Sequence, residues 1–115
     1  MKREVPTSRP THPLEELTFG ERLVLAVLDH LVVRIRYQGR DRVIEPQLIG
    51  IHEAGEPMLV AYQTAGSSQS GDIPGWRTFI TTSIEDVEVT DQRFSGPRGD
   101  LDITMHRMIE IFARA

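Results

Sequence analysis

Apolar and polar residues alternate in short runs through the middle of the chain, from residue 32 to residue 94. In residues 33–37, three apolar side chains alternate with two arginines. This is the period of a β-strand with one buried face. A polar turn with Gly39 follows, and glycine readily takes the positive φ that such turns need. The pattern predicts a first strand and a hairpin.

Four further runs continue this pattern, at residues 43–51, 58–62, 76–81 and 84–90. Pro46 lacks a backbone donor and predicts that the second strand is bent or lies at an edge there, and Gly50 would ease a second bend. The third run is apolar on both faces and should be the most buried. A small sheet avoids exposed edges by closing, so the runs predict a small five-stranded antiparallel barrel.

Two helices are expected to flank the barrel. Thr18 and Glu21 have the spacing of a capping box, which predicts a helix to about Leu31. A second apolar stripe at helical spacing predicts a C-terminal helix. This stripe consists of Leu101, Met105, Met108, Ile109 and Phe112.

The chain divides into three parts. Residues 1–17 contain three prolines among polar residues and are expected to form a flexible tail. Residues 18–94 hold the first helix and the barrel, and residues 95–115 hold a linker and the C-terminal helix. The linker contains Arg98-Gly99-Asp100, a cell-adhesion tripeptide that we interpret as a chance occurrence and the start of a helix.

Composition narrows the classes of function. The chain has 115 residues, no cysteine and a formal net charge of −4. The lack of cysteine excludes disulfides and thiolate metal sites, and the acidic balance argues against a strongly basic nucleic-acid binder. No apolar run is long enough to span a membrane, and no secretory signal is evident. We therefore expect a soluble, cytoplasmic protein with no membrane partner.

The order of the apolar runs resembles that of a WYL domain, from residue 22 to residue 94. The pattern reads Val33-x-Ile35-x-Tyr37, then Arg42-Val43-x-x-Pro46-x-x-Ile49, then Met58-Leu59-Val60-Ala61-Tyr62, then Arg77-x-Phe79 and Ile84-x-x-Val87. The resemblance implies an Sm-like or SH3-like barrel led by a helix. It also implies a regulatory module that binds nucleic acid or a nucleotide-like ligand.

The chain departs from that family at three points. The tripeptide that gives the family its name is replaced by Pro57-Met58-Leu59, and Ser83 stands where a basic residue usually precedes the last strand. The segment before the barrel has room for one helix, so no helix-turn-helix is expected.

Six residues are candidates for ligand binding. Arginine guanidinium groups fork onto phosphate oxygens, and aromatic faces stack on bases. The candidates are Arg34, Arg36, Tyr37, Arg40, Arg42 and Arg77. If the last strand pairs with the first, Asp86 and Glu88 lie beside two of these arginines. Cross-strand ion pairs, which stabilise by roughly 0.2–1 kcal/mol each, are then the alternative role.

Two other classes of function remain open. Apolar residues outside the expected core, Leu25, Ile103 and Ile111, favour a protein-interaction module or a homo-oligomer. No nucleophile–base pair, metal-ligand spacing or paired carboxylates form a recognisable motif, so the chain is not expected to be an enzyme or to need a cofactor or metal.

Overall fold

A computed structural model describes residues 13–68, 72–102 and 106–115 of the chain. The elements that can be described in full are one α-helix, six strands and the short 3-10 turns at Leu14–Glu16 and Thr81–Ser83. The elements are α1 (Phe19–Asp29), β1 (Leu31–Tyr37), β2 (Arg40–His52), β3 (Pro57–Gly66), β4 (Gly75–Ile80), β5 (Ile84–Arg93) and β6 (Met108–Arg114). Most of the predicted tail and Ile103 lie outside the described residues.

The five predicted strands are confirmed as β1 to β5, all paired antiparallel. The order in the sheet is β4-β3-β2-β1-β5, and β6 pairs with β2 beside this path. The long β2 therefore pairs with β1, β3 and β6. The prediction that the third run is the most buried is wrong: the longest buried run in β3 is residues 59–61, whereas residues 46–50 of β2 are all buried, because this part of β2 pairs with β3 on one side and with β6 on the other.

The pairing of β2 is irregular at both positions where a bend was predicted. The pairing of β2 with β3 shifts between Pro46 and Leu48, and the pairing with β6 shifts between Ile49 and Gly50. A Cβ atom added at Gly50 would overlap the carbonyl oxygen of Glu110 on β6. Glycine is therefore needed at this position because two backbones approach closely.

The predicted C-terminal helix is wrong, since its last residues form β6. The C-terminal half of β2 extends beyond β1, and β6 covers the free edge that this leaves. Register shifts on either side of the Gly50–Ile51 pairings place extra residues in β6. These bulges break the strict alternation of a strand, so the apolar spacing imitates that of a helix.

The helix α1 begins as predicted. The amide of Glu21 donates to Oγ1 of Thr18 at 3.1 Å, and the amide of Thr18 donates to Oε1 of Glu21 at 2.9 Å. The helix ends at Asp29, where His30 takes a left-handed conformation with φ of 57°. Its buried face comprises Leu23, Val24, Ala26 and Val27.

One hydrophobic core joins α1 to the sheet. Its largest fully buried members include Leu23 from the helix, Ile44 from β2 and Phe79 from β4. Leu25 is half-buried, and Ile111 is exposed on β6. Within the described ranges, no helix has the length and apolar character needed to cross a membrane.

Candidate anion-binding site

Three of the six predicted site residues meet in one cavity. Tyr37 at the end of β1, Arg42 near the start of β2 and Arg77 on β4 all line it, and its volume is about 380 Å³. The complete lining is Tyr37, Gln38, Arg42, Trp76, Arg77, Thr78 and Phe79.

Tyr37 brings two distant strands together at this cavity. The strands β1 and β4 are separated by β2 and β3 in the sheet order. Nevertheless, the amide of Ile80 donates to the Tyr37 hydroxyl at 3.2 Å. The ring of Tyr37 also meets that of Phe79 edge-on, with centroids 4.9 Å apart. The sheet is thus curved enough for its first and fourth strands to share a site.

Arg42 is almost fully buried, with 4% of its surface exposed. Its guanidinium carbon lies 5.4 Å from the ring centroids of both Tyr37 and Phe79. Nη2 donates to the Tyr37 carbonyl at 3.3 Å and to Oε1 of Gln38 at 3.4 Å. Both bonds are long for a charged donor, so the guanidinium is weakly held by its neutral partners.

One buried donor of this guanidinium has no acceptor. Nε of Arg42 is buried and makes no hydrogen bond, and none of the ion pairs in the described part of the chain includes Arg42. Buried arginines are normally paired and fully hydrogen-bonded because a buried charge is costly. Two other buried atoms, Gln47 Nε2 and Gln63 Oε1, also lack partners, but neither residue lines the cavity.

The surroundings of Arg42 disfavour its charge. Burial lowers the pKa of the guanidinium below its ordinary value, and the positive charges of Arg40 and Arg77 lower it further. The tyrosine raises this pKa slightly in return. An arginine remains protonated at neutral pH even so. The cavity therefore holds a buried positive charge that an anion would stabilise.

Arg77 is held in the cavity wall by oxygen atoms. Nε donates to Oγ of Ser68 at 2.9 Å, Nη1 to the Trp76 carbonyl at 2.8 Å and Nη2 to the Asp72 carbonyl at 2.7 Å. A Cβ atom at Gly75 would come within 2.9 Å of Nη1. The guanidinium is thus fixed in place, and its positive charge is felt at Arg42.

Trp76 forms another fixed wall that the sequence did not identify. Its indole N–H donates to Oδ2 of Asp100 at 2.9 Å, and its ring meets Tyr62 edge-on at 5.5 Å. The Arg98 guanidinium lies 3.6 Å from the Tyr62 ring centroid, and its Nε donates to Glu45 at 3.0 Å. The arginine and aspartate of the adhesion-like tripeptide therefore have structural contacts, and residues 98–102, as far as the structure describes this segment, are not helical. In the sequence, Trp76 stands next to the predicted site residue Arg77, and this was the signal that could have identified it as part of the site.

The other three predicted residues lie outside the cavity. Arg34 and Arg36 pair in register with Glu88 and Asp86, as predicted from the pairing of β1 with β5. Arg34 is exposed, and Arg40 is half-buried next to the cavity. The structure therefore separates the arginine cluster into a cavity pair and a surface group.

Arg36 belongs to an ion-pair network, but with partners other than the predicted Asp86. Its Nη1 lies 3.0 Å from Oδ1 of Asp41, and its Nε lies 3.9 Å from Oε1 of Glu85. The side chain is 49% exposed, so solvent screens both contacts. This arginine stabilises the hairpin only weakly.

A larger cleft of about 700 Å³ lies between the start of α1 and β6. Its lining is mainly apolar, with Phe19, Ile49, Pro57 and Phe112 among its residues. Among residues 13–68, 72–102 and 106–115, no three acidic or histidine side chains group closely enough to hold a metal ion.

Comparisons with protein-family models, with curated proteins and with solved structures found no match for this chain.

Proposed function

We propose that the protein is a non-catalytic, ligand-sensing module that binds single-stranded nucleic acid or a nucleotide-like ligand through a phosphate group. The observation that carries this proposal is the buried guanidinium of Arg42, whose Nε has no acceptor. Arg42 lines the cavity, so a phosphate bound there would accept hydrogen bonds from its guanidinium and neutralise the buried charge, although Nε itself is closed to solvent.

The aromatic side chains that line the cavity are suited to binding the base of a nucleotide. Trp76 and Tyr37 offer aromatic surface, and aromatic side chains bind bases of any sequence by stacking, worth roughly 1–3 kcal/mol per base. The volume of about 380 Å³ lies within the range of small-molecule sites, roughly 300–1,000 Å³.

The same proposal includes a closed Sm-like or SH3-like barrel of the WYL type. Two features support closure. The contacts of Tyr37 with Phe79 and Ile80 join strands that are not neighbours in the sheet. A single 3-10 turn, Thr81–Ser83, links β4 to β5, which lie at the two ends of the strand order.

Calorimetric titration of the whole chain with a short oligothymidylate and with adenosine monophosphate tests the proposal. The oligonucleotide affinity should fall with salt, with a log–log slope of about −0.7 for each phosphate neutralised. A protein that binds neither probe at low salt would refute this function.

Two variants locate the site. Arg42→Met keeps most of the apolar stem and removes the guanidinium, so the affinity should fall at least about tenfold. The matched control is Arg34→Met, which removes an exposed arginine outside the cavity and should change the affinity little. Equal losses in both variants would indicate general charge attraction and contradict the assigned site.

A second candidate function is self-association through β6. Two isoleucines on this strand are unusually exposed, Ile109 at 69% and Ile111 at 39%. Exposed apolar side chains on a strand favour contact with another chain. Light scattering after size exclusion should show a dimer that Ile109→Lys converts to monomer. A monomeric native protein would exclude this candidate.

A further inference from the structure

We infer that the cavity around Arg42 selects a phosphate monoester, the terminal phosphate of a strand or of a mononucleotide, over the phosphodiesters inside a strand. This inference rests on the proposed function and specifies which phosphate is bound.

The first reason is charge. Arg42 and Arg77 both line the cavity, and the charge of Arg40 also acts on Arg42. No aspartate or glutamate is among the residues that line this cavity in the described chain. A phosphate monoester carries about −1.5 to −2 charges at pH 7, whereas a diester carries one. The more highly charged group therefore gains more from these arginines.

The second reason is the depth of the guanidinium. Arg42 is 4% exposed, and the rings of Tyr37 and Phe79 both lie against it. A diester at this position would need room for the strand to enter and to leave. A terminal phosphate needs one path only. The cavity of about 380 Å³ is near the lower end of the range for small-molecule sites, roughly 300–1,000 Å³, which leaves little room for nucleotides on both sides of the phosphate.

The third reason is the geometry of the free donor. Nε of Arg42 has no acceptor, while Nη2 makes two long bonds to neutral oxygens. A terminal phosphate presents three oxygens that can accept from guanidinium groups, and arginine binds such groups in a forked arrangement. Nε itself is closed to solvent, so the phosphate oxygens would accept from the part of the Arg42 guanidinium that lines the cavity, and Nε would need a small local movement to join them.

The test compares three oligothymidylates of equal length by calorimetry at constant ionic strength. One carries a 5′-phosphate, one a 3′-phosphate and one hydroxyl groups at both ends. We expect one phosphorylated oligomer to bind at least about tenfold more tightly than the hydroxyl form. Adenosine monophosphate and inorganic phosphate, added as competitors, distinguish a strand end from a mononucleotide and from phosphate alone.

The preference should depend on Arg42 and on pH. In Arg42→Met the advantage of the phosphorylated oligomer should be lost, whereas Arg34→Met should retain it. Arg42→Lys, which keeps a charge but loses the fork, should retain only part of it. The advantage should also shrink from about pH 7.5 to about pH 5, because the second ionisation of the monoester has a pKa near 6.

The outcomes separate this inference from the proposed function. Equal binding of all three oligomers would overturn the selection of a terminal phosphate and leave nucleic-acid binding intact. Inorganic phosphate that competes as well as the nucleotide would support monoester selection and remove the role of the base. No binding of any probe would overturn both.

Discussion

At the scale of single residues, Arg42 combines a stability cost with a capacity for binding. Burial of a charge without an opposite partner is unfavourable, and here two rings and two neutral oxygens give only partial compensation. Replacement of buried ionic groups by apolar side chains of similar size is often neutral or stabilising. Under the proposed function, a bound anion would offset the cost of this buried charge.

We predict that Arg42→Met leaves the free energy of unfolding unchanged or raises it by up to about 2 kcal/mol. Folding lowers the pKa of Arg42. The unfolded state therefore binds more protons than the folded state only between the folded and the unfolded pKa, and the free energy of unfolding rises with pH only in that interval. Below that range the charged form is present in both states. The change in the free energy of unfolding caused by Arg42→Met should hence be constant between about pH 6 and pH 9, as measured by urea unfolding.

Arg34→Met is again the control, because exposed substitutions usually change stability by less than about 0.5 kcal/mol. A loss of more than about 2 kcal/mol in Arg42→Met would mean that its contacts with Tyr37 and Phe79 are a net source of stability.

The sequence identified Tyr37, Arg42 and Arg77 as candidates because of their chemistry. It did not predict that they lie close together in one cavity. Alternation along one strand shows which side chains share a face. The cavity instead joins β1 to β4, and only the curvature of the sheet brings them together. Trp76 was missed for the same reason, since its role depends on contacts across strands.

At the scale of elements, the sequence predicted structure that depends on neighbouring residues but not structure that depends on residues far away in the chain. The capping box of α1 lies within four consecutive residues and was identified correctly. The C-terminal strand depends on the free edge of β2, which is far away in sequence. Its bulges also place Phe112 and Ala113, two consecutive buried residues, where a regular strand would bury one of them.

We predict that Gly50→Ala weakens the docking of β6 and lowers the free energy of unfolding by about 1–3 kcal/mol. The added methyl group overlaps the Glu110 carbonyl, so the backbone of β6 must move away. Hydrogen exchange at the amides of β6 should accelerate more than exchange in β1.

Gly99→Ala is a matched control, because a Cβ atom at that position meets no other atom within 4 Å. Its stability should match that of the native protein. Equal stability of the Gly50 variant would show that β6 contributes little to the fold.

At the scale of the whole molecule, β2 connects most of the sheet. It pairs directly with β1, β3 and β6, and each remaining strand pairs with one of these. The helix α1 packs against the same core that contains Ile44 and Ile49 of β2. Loss of β2 would therefore remove the support of every other element.

We predict a single cooperative unfolding transition. Far-ultraviolet circular dichroism and the amide exchange of β6 should report the same midpoint in urea, as expected for a small two-state domain. An earlier transition confined to the amides of β6 would show that this strand unfolds as a separate unit.

The wall of the cavity also supplies a label-free optical probe. The chain has one tryptophan, and Trp76 stands between the arginine site and its bond to Asp100. Excitation at the long-wavelength edge of the absorption band, where the two tyrosines do not absorb, therefore gives emission from a single indole ring in the wall of the site. A base stacked on that ring should quench the emission, so occupancy can be followed in real time without any dye.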